Sequence, residues 1–256
     1  MFYLKIVLNM IYMKNFLVLS FILLLSKTCY SQNNYFVEET FSKENWQYIL
    51  PHKFDSSSIS SKILDGHLVV TLQPGTYGWS GDEKHKKERA EFGKKIHGGF
   101  NALNKDKIFF MQFDARVDKG FKALKRTMIA QIKTEDKSSG SPAAAIYLDR
   151  KGGAKCMDYN GSDERTNHKT YHNLIYYKTN IDATDGNWHT FKIILKIHDS
   201  EGYCKILIDN KPVVEISNVD TKDRSSNNVL GRIGIYRDRL PHPQTVYFDN
   251  WIIDYN

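Results

Sequence analysis

Beyond residue 60 the chain is a series of short runs in which apolar and polar positions alternate. In "KIFFMQFDARV" (107–117), Phe109, Met111, Phe113, Ala115 and Val117 fall on one parity. "HLVVTLQPG" (67–75), "TMIAQIK" (127–133), "AAAIYLDR" (143–150), "HTFKIILKIHD" (189–199), "CKILIDNKPVVEIS" (204–217), "RIGIYR" (232–237) and "TVYFDNWIID" (245–254) continue the pattern. They are separated by stretches rich in Gly, Asn, Asp and Ser. A period of two over so few residues, with β-branched and aromatic enrichment, predicts strands. Helical periodicity is scarce. Many short strands at regular spacing predict an all-β chain folded as an antiparallel β-sandwich or jelly roll.

The first 31 residues break this pattern. "MKNFLVLSFILLLSKTCYSQ" (13–32) has a positive start at Lys14, an apolar run from Phe16 to Leu25, and Cys29 and Ser31 placed at −3 and −1 if cleavage falls before Gln32. That order predicts a secretory signal peptide over 1–31. The apolar run is about half the ~20 residues a membrane span needs. "SKT" before Cys29 is a poor lipidation context, and both Met1 and Met13 remain open as starts. The expectation is one domain over 32–256, secreted to the periplasm or beyond, with no membrane contact after cleavage and no second copy required.

Charge refines the picture only slightly. The chain carries +7, and losing Lys5, Lys14 and Lys27 with the leader leaves +4. A mildly basic protein suits an anionic partner, and no nucleic-acid motif accompanies the charge. Cys156 and Cys204 are left after cleavage. In an oxidising compartment they pair, or they stay as two buried thiols; the sequence leaves both open.

Parity then selects candidate site residues. A curved sandwich packs one face of a sheet on the core and opens the other as a concave groove, so alternate residues point at a ligand. In "TMIAQIK", Met128, Ala130 and Ile132 suit the core. Gln131 and Lys133 share the other face, about 7 Å apart along the strand. In "GRIGIYR", Ile233 and Ile235 suit the core and Arg232, Gly234 and Tyr236 the open face. Gly234 is expected to leave room for an approaching group. In "ERAEF" (88–92), Ala90 and Phe92 suit the core, which sends Arg89 and Glu91 outward. The preceding "EKHKK" (83–87) reads as a solvated or substrate-attracting basic loop at the groove's edge.

Two stretches resemble known sandwiches. "DGNWHTFKIILKIHDSEGYCKILIDNKPVVEI" (185–216) is similar to the tryptophan-opened hairpin of concanavalin-like and laminin-G-like folds. "VYFDNWIID" (246–254) is similar to the last strand of glycan-acting sandwiches. "ERAE" (88–91), "QIK" (131–133) and "GRIGIYR" (231–237) together resemble, in order, the "R-x-E", "Q-I-H" and late tyrosine strands of the jelly-roll polysaccharide lyases. These include the alginate lyases, the glucuronan and heparin-lyase type, and the ulvan lyases. The resemblance covers most of 32–256 as spaced short motifs. "GIYR" is closer to the glucuronan and heparin type, and Lys133 stands where the alginate type has His.

The resemblance implies β-elimination on a uronate-containing polysaccharide, ulvan- or glucuronan-like first and alginate second. That reaction removes the C5 proton, expels the C4 oxygen and needs donors for the charge gathering on the C6 carboxylate. Gln131, Lys133 and Arg89 are the expected donors, and Tyr236 the expected base and acid. A tyrosine, normally near pKa 10, is favoured as the anion by adjacent cations; Arg232 and Arg237 are the expected ones. Glu91, Arg232, Arg237, His172 and Tyr177 are expected substrate contacts. His172 and Tyr177 come from "RTNHKTYHNLIYYK" (165–178), where a histidine could replace the one absent at 133. No metal or other cofactor is called for, with a structural calcium ion left open. A non-catalytic glycan-binding module on the same sandwich is the rival reading, and a glycoside hydrolase the third. The paired-carboxylate strand of sandwich glycosidases is absent, as are a G-x-S-x-G elbow, a zinc motif and a phosphate loop.

Overall fold

The computed structural model describes residues 35–39, 41, 50–51, 59–78, 80–96, 108–119, 121–122, 127–134, 142–148, 153–157, 174–178, 181–198, 200–221 and 229–255. The alternating runs become strands. In chain order these are β1 (Tyr35–Glu39), β2 (Leu50–Pro51), β3 (Ile59–Leu64), β4 (His67–Leu72), β5 (Lys87–Ile96), β6 (Ile108–Val117), β7 (Thr127–Thr134) and β8 (Ala144–Tyr147). They continue as β9 (Gly153–Met157), β10 (Leu174–Lys178), β11 (His189–Lys196), β12 (Gly202–Ile208), β13 (Lys211–Val219), β14 (Val229–Asp238) and β15 (Gln244–Tyr255). A short helix, Ser80–Lys84, precedes β5. Among the described residues no helix is long and apolar enough to cross a membrane.

Two antiparallel sheets form, as the patterning predicts. One runs β13-β12-β11-β6-β15-β4-β3, with β1 also on β15, and the other runs β10-β9-β8-β7-β14-β5-β2. Phe36–Tyr255 pack as one unit. The inward parity of the first sheet is apolar: Phe109, Met111 and Phe113 on β6, Phe191, Ile193 and Leu195 on β11, and Val246 and Phe248 on β15 are each at most 1% exposed. Phe113 stacks on Phe191, with ring centroids 5.2 Å apart.

Two local devices keep this register. β12 and β13 join through Asp209 and Asn210, both at positive φ (51° and 62°). Such a two-residue turn matches the twist of a hairpin, and Asp and Asn tolerate it. On β15 the buried parity changes from Val246 and Phe248 to Trp251 and Ile253. The register against β6 shifts between Asp249 and Ile252, and Asn250 takes φ 49°. A β-bulge re-aims the strand, so both halves of "VYFDNWIID" bury their apolar side.

Cys156 on β9 is bonded to Cys204 on β12, tying one sheet to the other. The bond spans 48 residues, a loop whose closure removes about 4 kcal/mol of unfolded-state entropy on the chain-entropy account. Reduction with a thiol should therefore lower the urea midpoint by an amount equivalent to roughly 2–4 kcal/mol, with the transition remaining cooperative. An unchanged midpoint in thiol would show that the bond contributes nothing to stability.

Candidate active site

β14 lies between β7 and β5. Arg232 is opposite Gln131 and Gly93, Gly234 is opposite Glu91, and Tyr236 is opposite Arg89. Alternation places Arg89, Glu91, Gln131, Arg232 and Tyr236 on one face. On the other face Ala90, Phe92, Ala130, Ile132, Ile233 and Ile235 are core residues, each no more than 1% exposed.

Glu91 is the hub of the polar face. It is 2% exposed. Its Oε1 accepts a hydrogen bond from Gln131 Nε2 at 2.5 Å, and its Oε2 one from Arg89 Nη1 at 3.0 Å. Arg232 Nη1 donates to the same Oε2 at 3.5 Å. A carboxylate removed from water must be answered by donors, and here each of the three strands supplies one.

Arg89 is held from a second side. Its Nε and Nη2 donate to Asp82 Oδ2 and Oδ1, both at 2.9 Å, a bidentate fork on the short helix. Asp82 is itself 2% exposed. The Arg89 guanidinium lies 4.0 Å from the centroid of the Tyr236 ring. Burial works against its charge, but Glu91, then Asp82, then Tyr236 outweigh it and hold its pKa above the ordinary arginine value. The charges of Asp82, Glu91, Arg89 and Arg232 cancel. Lys133 is half-buried and lies two residues past Gln131 on β7.

The structure revises several expectations. Arg237, expected at the groove, is fully buried with Glu88 on the other side of β14 and β5. Its Nε donates to Glu88 Oε2 at 2.7 Å. Odd positions of β14 face the core, so Arg237 reaches neither Tyr236's face nor a ligand on it. Burial lowers its pKa from the ordinary value, against the opposing pull of Glu88. The cation at Tyr236 is Arg89. Arg232 is 6% exposed and directed at Glu91, which gives it a supporting position rather than a surface one. Three of the five N–H donors of Arg89, an expected donor to the substrate carboxylate, are spent on protein carboxylates.

Gly234 also works differently. It has φ 138°, and a Cβ there would lie 2.2 Å from the Ala90 carbonyl oxygen. The space that glycine provides is filled by the neighbouring strand. Between Ile233 and Tyr236 the register against β7 shifts, and β7 shifts against β8 between Met128 and Ala130. The strict parity expected of "TMIAQIK" therefore fails at its start. Met128 packs with Ala145, Tyr147 and Tyr236, forming an apolar seat for the tyrosine ring. Tyr177 lies on β10, paired with Ala154 of β9, three strands from β7. His172 lies outside the described residues.

Asp82 and the Glu88–Arg237 pair were missed by patterning. They sit in and beside a dense charge run that reads as solvated. Among the described residues no group of three or more His, Cys, Asp or Glu is placed to hold a metal.

A polar cluster on one sheet face, with a tyrosine stacked on a caged arginine, suits proton transfer on an anionic ligand. The polysaccharide lyase family model matches residues 38–252. The chain belongs to the polysaccharide lyase family. No curated protein matches it in sequence. Among solved structures, this lyase is similar to an endo-β-1,4-glucuronan lyase from the fungus Trichoderma reesei, at 17% identity and TM-score 0.58, over 86% of this chain and 94% of that one. It is also similar to alginate lyase Aly36B, at 11% identity and TM-score 0.54, over 85% and 96%. A third is alginate lyase A1-II', of polysaccharide lyase family 7, at 10% identity and TM-score 0.54, over 79% and 86%. At these identities the likeness is one of fold, and the lyase shares the jelly-roll sandwich with all three.

The buried Glu88–Arg237 pair gives a stability test separate from activity. Removing one partner of a fully buried pair costs about 3–5 kcal/mol, because a charge is stranded. Glu88→Gln should lower the unfolding free energy by that amount in urea titration. A change under about 1 kcal/mol would mean that water compensates Arg237.

Proposed function

We propose that this lyase cleaves a uronate-containing anionic polysaccharide by β-elimination, with Tyr236 as base and acid. The observation that carries the reading is the Tyr236 ring, 4.0 Å from the Arg89 guanidinium, on the same face as Gln131 and Glu91. A cation that close favours phenolate over phenol. The effect is reciprocal, since Tyr236 is among the groups that hold the Arg89 charge.

The steps balance within the substrate. The Tyr236 phenolate takes the C5 proton. The electron pair left at C5 forms the C4=C5 double bond as the C4–O bond breaks. The proton then passes from Tyr236 to the leaving oxygen. Charge building on the C6 carboxylate is met by Lys133 and by the second N–H of the Gln131 amide, whose first is anchored on Glu91. Asp82 and Glu91 position Arg89. Each of these steps is carried by a protein side chain.

Glucuronan- or ulvan-like polymers come first and alginate second. Lys133 replaces the alginate-type histidine, "GIYR" is of the glucuronan type, and a glucuronan lyase is among the similar folds. The leader expected over 1–31, and a disulfide that needs an oxidising compartment, support secretion to the periplasm or beyond.

The test is absorbance near 235 nm, from the new double bond conjugated to the carboxylate, on glucuronan, ulvan and alginate. Tyr236→Phe should lower kcat about 10²–10⁴-fold, the usual worth of a general acid–base group. Arg89→Ala and Asp82→Asn should also lose activity, and far more of it than Lys86→Ala. Full activity in Tyr236→Phe would end the mechanism, and no absorbance rise on any polyuronate would end the substrate class.

A further inference from the structure

Beside the polar cluster is an open depression of about 550 Å³ lined by Pro74, Tyr77, Glu88, Arg239, Leu240 and Pro241, among others. Its size lies within the range of ligand pockets, about 300–1,000 Å³. The depression and the cluster share a wall. Gly75 and Tyr77 line the former. The carbonyl of Thr76, between them, accepts the Arg89 N–H at 3.1 Å. A Cβ on Gly78 would lie 3.0 Å from the Arg89 side chain, so the same short segment closes over Arg89.

The charges around this depression do not cancel. Glu88 lines the inner end of the depression, on the reverse of β5 from Arg89, and its oxygens are already used. Oε1 accepts the Gly75 N–H at 2.6 Å, and Oε2 is paired with Arg237 at 2.7 Å. Asp238 is paired with Lys87. Arg239 pairs with no carboxylate among the described residues, and its guanidinium lies 5.2 Å from the Tyr77 ring centroid. Its backbone N–H donates to the Lys86 carbonyl at 3.0 Å. That contact fixes the root of the side chain against the exposed basic turn of Lys84, His85 and Lys86. The depression thus offers, among the described residues, a cation with no carboxylate partner, an aromatic ring beside it and two proline walls.

We propose that this depression is a subsite for a further uronate unit of the polymer. Arg239 binds that unit's carboxylate, and Tyr77 with the prolines packs against the C–H face of its sugar ring. Guanidinium recognises carboxylate in two parallel hydrogen bonds, and a pyranose offers an apolar face to aromatic and proline surfaces. The basic turn, which has no part in the chemistry, gains a use as the rim that draws the anionic chain in. The inference rests on the polyuronate reading above.

Calorimetric binding of defined glucuronan and alginate hexasaccharides tests it, with the Tyr236→Phe protein as parent so that ligand is not consumed. Adding Arg239→Ala should weaken binding of the better ligand about tenfold, and Arg239→Lys about threefold, as a charged bidentate contact is lost or reduced to a point charge. Adding Tyr77→Ala should weaken it too, and Tyr77→Phe should not. In the otherwise unaltered enzyme, Arg239→Ala should raise KM and leave kcat within about twofold, the pattern of lost uniform binding. Equal affinity with and without Arg239, or no hexasaccharide bound by either protein, overturns the subsite. An absorbance rise on polymer with Arg239-independent binding removes the subsite and leaves the lyase reading. Arg239-dependent binding with no absorbance rise removes that reading and leaves the subsite.

Discussion

The site depends on a buried carboxylate. Glu91 has almost no contact with water, and its two oxygens gather donors from β5, β7 and β14. The cost of stripping water from that charge is offset only if all three strands stay in register. The same bonds set the positions of Arg89 and Gln131. Glu91 thus links the pairing of the sheet to the placing of Arg89 and Gln131 on its outward face. Asp82 completes the arrangement by holding Arg89 from outside the sheet, which leaves the guanidinium lying under the Tyr236 ring. Tyr236 in turn rests on Met128, Ala145 and Tyr147, so its ring has both an apolar seat and a cation beside it.

The strand that carries this work also carries a second charge system on its reverse. Glu88 and Arg237 face inward where Ala90 and Phe92 are purely apolar, and both are fully buried. Glu88 also ties down the Gly75 and Leu240 amides. One strand therefore holds the cluster with its outward residues and the adjoining segments with an inward one. This is why Thr76, Gly78 and the short helix can reach Arg89.

The fold was largely legible in the sequence because period-two patterning is a direct record of sheet burial. The alternation in "KIFFMQFDARV" and "HTFKIILKIHD" survives intact in β6 and β11. It misleads where the strands are bulged. Met128 reads as core by parity, but the register shifts around Gly234 and Met128 bring it to the tyrosine. Gly234 reads as space for a ligand, and a backbone carbonyl fills that space. The cluster of Arg89, Glu91, Gln131 and Tyr236 was legible from parity, because each residue stands opposite an apolar partner in its own strand. Asp82 and the burial of Arg237 were not. Charges that pair across a strand–loop junction look, along the chain, like any solvated run, and only the folded paths of residues 74–78 and 80–82 bring them together.

The central claim is that a uronate ring sits with its C5 proton over Tyr236 and its carboxylate toward Gln131 and Lys133. A crystal structure of the Tyr236→Phe protein with a uronate oligosaccharide tests this most directly. The account predicts C5 within proton-transfer reach of the missing hydroxyl, and the adjoining carboxylate on Lys133 and the Gln131 amide. A sugar seated elsewhere on the sandwich, or one whose carboxylate points away from β7, would contradict it.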